Sequence, residues 1–168
     1  MTHRRSEERV ATDPAFQLED EEWQRRLTPA RYEVLRHGAT EPAWSGEYVH
    51  VDDAGTFRCA GCGTALFSTD AKFESGTGWP SFDRAVAAGT VAEHVDRSFG
   101  MTRTEITCAR CGGHLGHVFP DGPTETGLRY CVNSLSLTFE EDGAADPGHP
   151  DPEPGSDARA PASAPPER

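Results

Sequence analysis

Hydrophobic residues at the front of the chain recur at helical spacing among charged ones. This pattern predicts a first helix over Phe16–Leu27. Thr28 has the residue type of an N-cap, and a proline at the next position suits the first turn of a helix. A second helix is therefore predicted over Pro29–His37, and it ends at Gly38.

Behind Gly38 the pattern changes to short alternating or β-rich runs separated by glycine, proline and aspartate. Such runs are typical of strands, and one short helix is predicted among them over Ser81–Ala88. The fold class expected is mainly β with N-terminal helices. The predicted strands lie near Glu47–Val51, Thr56–Arg58, Ala65–Ser68, Val91–Asp96, Thr102–Thr107, His117–Phe119 and Arg129–Phe139.

Both ends of the chain differ from its middle in composition. Residues 1–15 are polar and charged, and Glu141–Arg168 contains seven acidic residues, two basic residues and seven of the 13 prolines. Such segments bury too little apolar surface to offset the entropy of ordering them. We predict a disordered lead over 1–15, one domain over 16–140 and a disordered acidic, proline-rich tail over 141–168.

The formal net charge of −12 disfavours binding to nucleic acid, because phosphates are also negative. The first fifteen residues contain no apolar run of seven or more, so we expect neither a secretory signal nor contact with a membrane. These features favour a cytoplasmic protein, and a monomer is the default expectation.

Four of the five cysteines form two Cys-x-x-Cys pairs separated by 45 residues, each followed by glycine. Four thiolates complete a tetrahedral shell with no open position, which predicts one structural zinc ion. Redox-active pairs and disulfides are the alternatives. No motif for an organic cofactor is visible. The predicted zinc ligands are Cys59, Cys62, Cys108 and Cys111.

Cys131 is the fifth cysteine, and strand alternation would place it on one face with Arg129 and Asn133. A guanidinium favours the thiolate, and an amide can donate a hydrogen bond to a developing negative oxygen. The alternative is that Cys131 is a small buried hydrophobic residue. The surroundings favour a reactive thiol.

Three further residues add to this interpretation. His114 and His117 are possible proton donors near neutral pH, although on a regular strand they would face opposite ways unless Gly116 kinks it. Trp79 follows a glycine-rich turn and precedes a proline, and its ring suits a ligand with an S-methyl group. Structural histidines and a core tryptophan remain the alternatives.

Together these residues resemble the B-type peptide-methionine (R)-S-oxide reductases. The resemblance covers roughly Leu27–Phe139 and includes both cysteine pairs. The other stretches that carry it are His37–Pro42, Ser75–Phe82, His114–Pro123 and Arg129–Ser134.

The resemblance implies two antiparallel sheets packed around the active site, with zinc on the far side. It implies thiol-dependent reduction of the R epimer of methionine sulfoxide in oxidised proteins, through a sulfenic acid on Cys131. Thioredoxin or another thiol would supply the electrons. By the same resemblance His114, His117 and Asn133 are polar active-site residues, Trp79 forms the methyl pocket, and Arg129 assists the thiolate.

One departure from the family pattern concerns Thr77, since many members have a resolving cysteine in this turn. No internal thiol is then left to resolve an oxidised Cys131, which favours direct reduction by an external thiol. Two other functions stay open at this point. One is a zinc-dependent interaction domain without chemistry, and the other is a different thiol enzyme, such as a cysteine hydrolase.

Overall fold

The computed structural model describes residues 11–51 and 53–142. Two helices precede two antiparallel sheets: α1 spans Asp20–Arg26 and α2 spans Pro29–His37. Short 3-10 turns lie at Pro14–Phe16, Thr69–Ala71, Ser98–Gly100 and Ser134–Ser136. The strands of the described part are β1 Gly55–Cys59, β2 Ala65–Ser68, β3 Lys72–Phe73, β4 Ser81–Phe82, β5 Val91–Asp96, β6 Arg103–Cys108, β7 His114–Phe119, β8 Arg129–Val132 and β9 Leu137–Glu141.

The small sheet has the order β2-β1-β9, and the large sheet has the order β3-β4-β8-β7-β6-β5. Phe57 and Phe67 of the small sheet pack on Phe82 of the large one, with ring centroids 5.2 and 4.4 Å apart. All three side chains are fully buried, so the core lies between the sheets and draws its stability from apolar burial. The prediction of a mainly β fold with N-terminal helices is confirmed.

Local signals determine helix α2, and its prediction is confirmed. The Thr28 hydroxyl accepts a hydrogen bond from the backbone N–H of Arg31 at 3.2 Å, as an N-cap does. Gly38 ends the helix in the left-handed region with φ of 75°. Helix α1 begins later than predicted, at Asp20, because Asp13 caps a separate 3-10 turn over Pro14–Phe16.

Two predicted elements are wrong. Glu47–Val51 forms turns and bends instead of a strand, and the backbone N–H of Tyr48 donates to the Ser134 hydroxyl at 3.2 Å. The helix over Ser81–Ala88 is absent, because its first two residues form strand β4. Beyond them, the backbone N–H of Asp83 donates to the carbonyl of Ala71, which keeps the chain beside its neighbour.

The predicted strand Arg129–Phe139 is in fact two strands in different sheets. β8 ends at Val132, and β9 begins at Leu137 beside β1. Between them the N–H groups of Ser134 and Leu135 donate to the Glu41 carboxylate at 2.8 and 2.9 Å. This carboxylate replaces the ladder partners that a continuous strand would need, so the chain can change sheets.

The predicted lead lies outside the described residues up to residue 10, and the predicted tail lies outside them from residue 143. The described end of the lead contacts the second cysteine pair, since Thr12 and Asp13 donate backbone hydrogen bonds to the carbonyls of Ala109 and Arg110. Among the described residues, no helix is both long and apolar enough to cross a membrane.

Candidate active site and metal centre

The four paired cysteines meet in one cluster, with their sulfur atoms all within 4.8 Å of one another. Sγ of Cys59 lies 3.6 Å from Sγ of Cys111, and Cys62 and Cys108 are separated by the same distance. In a tetrahedron with metal–sulfur bonds of about 2.3 Å, sulfurs lie about 3.8 Å apart. The cluster therefore has the dimensions and the soft donors of a four-coordinate metal site.

The two cysteine turns have the same backbone design. Cys59 donates to the carbonyl of Thr64 and accepts from Gly63, and Cys108 donates to Gly113 and accepts from Gly112. Gly63 and Gly112 both have left-handed φ values, of 84° and 79°. Each turn thus points two sulfurs to the same side.

The cluster joins the two sheets at one end of the domain. Cys59 ends β1 of the small sheet, and Cys108 ends β6 of the large sheet. Hydrogen bonds among the sulfurs raise the pKa of Cys59 and Cys111, because a thiol that donates to a neighbouring thiolate retains its proton. Burial and charge repulsion between the sulfurs act in the same direction. A bound cation would remove this repulsion.

A second group of polar residues forms a row across the large sheet. His117 pairs with Cys131 between β7 and β8, Cys131 pairs with Ser81 of β4, and His117 also pairs with Glu105 of β6. Directly paired residues lie on the same face with Cβ atoms about 5 Å apart. The thiol of Cys131 and the imidazole of His117 are therefore neighbours.

A β-bulge places both histidines on this face. Thr107 pairs with His114 and Ile106 pairs with Gly116, so Leu115 is an extra residue on β7. The ring centroids of His114 and His117 are 5.7 Å apart. The sequence suggests that a kink at Gly116 would be needed to bring the two histidines to one face. The structure achieves this with the bulge at Leu115 instead.

Gly116 has a different role, which is to allow the two central strands to approach. A Cβ atom at this position would lie 2.0 Å from the carbonyl oxygen of Cys131. No side chain can occupy that space. The glycine therefore keeps β7 close to the strand that carries the thiol.

His117 is held by a buried carboxylate. Its Nε2 lies 2.8 Å from Oδ2 of Asp96, whose side chain is 1% exposed. Burial lowers the pKa of His117, the Asp96 carboxylate raises it, and Arg103 lowers it again, so that it lies below its usual value.

His114 lies deeper than His117. Its Nδ1 is 2.6 Å from Oε2 of Glu105, and both side chains are 1% exposed. The ring of His114 therefore lies behind that of His117, in a carboxylate-bound pair of its own. In the described structure it does not line the pocket beside Cys131.

Burial raises the pKa of Cys131 above its usual value, while Arg129 and the Thr77 hydroxyl act in the opposite direction. The guanidinium thus favours the thiolate, as expected from the sequence, without outweighing burial. Arg129 itself is bound by both oxygens of Asp121 at 2.9 and 3.1 Å and lies 4.5 Å above the ring of Phe119.

Glu41 connects the remaining two predicted site residues. Its backbone N–H donates to Oδ1 of Asn133 at 3.0 Å, and its carbonyl accepts from Nε1 of Trp79, also at 3.0 Å. Nδ2 of Asn133 donates to the carbonyl of Leu115 at 3.1 Å. An amide nitrogen carries two hydrogens, so Asn133 can still donate to a ligand.

These side chains surround a pocket of about 260 Å³. It brings together five of the six residues predicted for catalysis or substrate binding, and His114 is the sixth. The residues that line it are Thr40, Thr77, Trp79, Arg103, Gly116, His117, Phe119, Arg129, Cys131, Val132 and Asn133.

A known domain family matches most of this chain. The family model described as the SelR domain matches residues 27–141. The chain belongs to the SelR family. Its curated relatives include proteins named peptide methionine sulfoxide reductase MsrB.

Three MsrB proteins illustrate the similarity. The protein of Bradyrhizobium diazoefficiens is 57% identical over 129 residues, which cover 77% of this chain and 93% of that protein. Those of Leptospira interrogans and Agrobacterium fabrum are 55% and 51% identical, over 73% and 77% of this chain and 94% and 96% of their own lengths. This SelR chain therefore contains nearly the whole length of its relatives.

Sequence reasoning missed the carboxylates that hold the SelR site together. Asp96 and Glu105 bind the two histidines, Asp121 binds Arg129, and Glu41 binds the segment after Asn133. Arg103, a pocket residue, was missed as well. The sequence carries no signal for these acids, because their burial and their pairing arise only when distant strands meet.

The SelR pocket combines groups suited to chemistry at a small polar, sulfur-bearing ligand. It has a thiol, an imidazole with a carboxylate partner, a guanidinium near the thiol and an indole wall. The four-cysteine cluster and the pocket lie at opposite ends of β6, at Cys108 and Arg103. Five residue steps of strand separate them by about 17 Å, so the cysteine cluster lies outside the pocket.

Proposed function

We propose that this protein reduces the R epimer of methionine sulfoxide in oxidised proteins to methionine. The observation that carries the proposal is the direct pairing of His117 with Cys131 in a pocket that also contains Trp79. The identity of 51–57% to MsrB proteins supports it. The choice of the R epimer derives from the family resemblance.

In the proposed first step the thiolate of Cys131 attacks the sulfoxide sulfur. The imidazolium of His117 protonates the sulfoxide oxygen, and Asn133 donates a hydrogen bond to it. His114 supports His117 from behind. The protonated oxygen then passes from the substrate sulfur to the sulfur of Cys131, and the bond between the two sulfurs breaks. Methionine leaves, reduced by two electrons, and Cys131, oxidised by two electrons, carries the oxygen as the sulfenic acid.

In the proposed second step an external thiol attacks the sulfenic acid, which releases water and forms a mixed disulfide. A second thiol then restores Cys131 and leaves as the oxidised disulfide. Thioredoxin or a small thiol would serve. This route is supported by the chain itself: its other four cysteines lie in the metal cluster, and a threonine, Thr77, stands beside Cys131.

We propose zinc as the ion of the cluster, held by Cys59, Cys62, Cys108 and Cys111. Four thiolates with tetrahedral spacing suit zinc, and a closed shell leaves no position for substrate. When bound, zinc would supply folding energy only. We further propose that the protein acts as a cytoplasmic monomer without an organic cofactor, in the repair of oxidative damage, since a reducing compartment keeps its thiols reactive.

The test is reduction of separate R and S methionine sulfoxide with dithiothreitol, for the wild type and Cys131→Ser. R-selective turnover that disappears in the variant is expected. If folded, metal-loaded wild type reduced neither epimer, an interaction domain without chemistry would replace this proposal. Mass spectrometry after one turnover tests the route, because an intramolecular disulfide at Cys131 contradicts it.

A further inference from the structure

Trp44 is an exposed tryptophan beside the pocket that the proposed reaction does not use. It is 57% exposed, although tryptophan side chains are highly buried on average. Its backbone has φ of 69°, in the left-handed region that bulky residues rarely occupy. An exposed apolar ring on an unfavourable backbone does not help the chain to fold.

The position of Trp44 connects it to the pocket. Its backbone N–H donates to the carbonyl of Gly78 at 2.7 Å. Gly78 lies between Thr77 and Trp79, and both of these residues line the pocket. A Cβ atom on Gly78 would lie 3.0 Å from Nε1 of Trp44, so the indole itself rests against this turn. Trp44 therefore stands at the rim of the pocket on the side of Trp79.

The side chain of Trp44 is supported in its exposed position. The ring of His50 stacks beside it, with centroids 6.1 Å apart and an interplanar angle of 29°. His50 is in turn held by Glu74, with Nδ1 and the carboxylate oxygen 2.9 Å apart. A ring that is already ordered loses little entropy when it binds a partner.

We propose that Trp44 binds an apolar side chain next to the oxidised methionine in a protein substrate. This inference rests on the proposed function. The pocket of about 260 Å³ accommodates a single side chain, so the polypeptide on either side of it must pass over the rim. An indole face there attracts apolar groups, and aromatic residues dominate such contacts at recognition surfaces.

Three R-sulfoxide substrates test the proposal: N-acetyl-methionine sulfoxide amide, a pentapeptide with leucine on both sides of the sulfoxide, and one with serine there. Trp44→Asn removes the ring and keeps a residue that tolerates the left-handed backbone. For the leucine peptide we expect KM to rise about tenfold in the variant, equivalent to ~1.4 kcal/mol of lost binding, with kcat unchanged. The other two substrates should show unchanged kinetics.

Two variants serve as controls. Val86→Asn replaces an apolar side chain that is 42% exposed and follows β4, where its backbone N–H donates to the carbonyl of Leu66 in the small sheet, and it should leave all three substrates unaffected. Trp44→Phe keeps an aromatic face and should restore most of the preference for leucine. Melting temperatures of all variants check that the fold is intact.

Two results would overturn the inference. One is an unchanged KM for the leucine peptide in folded Trp44→Asn, and the other is an equal increase of KM in Val86→Asn. In either case reduction of the small substrate by wild type would leave the proposed function standing. If wild type reduced none of the three substrates, the proposed function itself would fail.

Discussion

Nε2 of His117 lies 2.8 Å from the carboxylate of Asp96, and that carboxylate also accepts hydrogen bonds from the backbone and the hydroxyl of Ser98. Ser98, in the loop between β5 and β6, thus holds the Asp96 carboxylate in place, and this carboxylate orients the imidazole of His117. Such a partner both orients a histidine and stabilises its protonated form.

We therefore expect Asp96→Asn to move the alkaline limb of the pH–rate profile to lower pH. Without the negative charge the pKa of His117 falls further below its usual value, so fewer molecules carry the imidazolium at neutral pH. A decrease of about tenfold in kcat/KM there corresponds to ~1.4 kcal/mol of lost stabilisation of the charged form.

Glu93→Gln is the matched control, because it neutralises an exposed carboxylate on the same strand. Its profile should coincide with that of the wild type. An unshifted alkaline limb in folded Asp96→Asn would contradict proton donation by His117 under the influence of Asp96.

Arg129 should control how readily the thiol of Cys131 ionises. In Arg129→Leu the pKa of Cys131 rises further, because burial is no longer opposed by the guanidinium. Alkylation of Cys131 by iodoacetamide should then become about tenfold slower at neutral pH, as expected when an opposite charge is removed from a thiolate's surroundings. Mass spectrometry of the labelled peptide as a function of pH gives the rates.

Asp121→Asn is a control in which the alkylation rate of Cys131 should change in the opposite direction. It removes the anion that neutralises Arg129, so the pKa of Cys131 should fall and alkylation at neutral pH should become faster. Equal rates in both variants would show that the ion pair has no influence on the thiol.

Loss of one cluster cysteine should unfold the domain. In Cys62→Ser the proposed zinc ion would lose a ligand, and the free energy of binding a structural zinc, about 10 kcal/mol or more, is comparable to the whole stability of a domain. Elemental analysis and thermal unfolding measure both effects. Cys131→Ser, a cysteine replacement outside the cluster, should keep the metal and the melting temperature.

The buried carboxylate of Glu41 should be worth more to stability than a typical surface acid. Glu41→Gln leaves one of the two N–H groups after Asn133 without an acceptor, at a cost of about 1–3 kcal/mol in the free energy of unfolding. Urea denaturation measures this cost. Exposed Glu47→Gln should change stability by less than about 0.5 kcal/mol, and an equal loss in both variants would contradict the role of Glu41.

The features that the sequence predicts well depend on neighbours along the chain. Helix α2 has its N-cap, proline and terminal glycine within eleven residues, and each cysteine turn is complete in six. The chemical types of Cys131, His117 and Trp79 also indicate a reactive pocket. Local interactions and residue chemistry can be recognised in a single sequence.

The features that the sequence does not reveal depend on partners distant along the chain. The break between β8 and β9 exists because Glu41 supplies acceptors to residues 93 and 94 positions later. Asp96 becomes the partner of His117 only after β5, β6 and β7 have paired, and nothing beside Asp96 in the chain marks it. A strand with a regular polar pattern gives no sign of such a contact.

The extra residue at Leu115 means that the site depends on a backbone group as well as on its side chains. The Leu115 carbonyl accepts hydrogen bonds from both the backbone N–H and Nδ2 of Asn133, at 2.9 and 3.1 Å. Deleting Leu115 would keep His114 and His117 on one face by ordinary alternation, but it would remove the acceptor that orients Asn133. In an alignment of SelR sequences, a one-residue gap between the two histidines therefore marks a site in which Asn133 is oriented differently, even where every reactive side chain is retained.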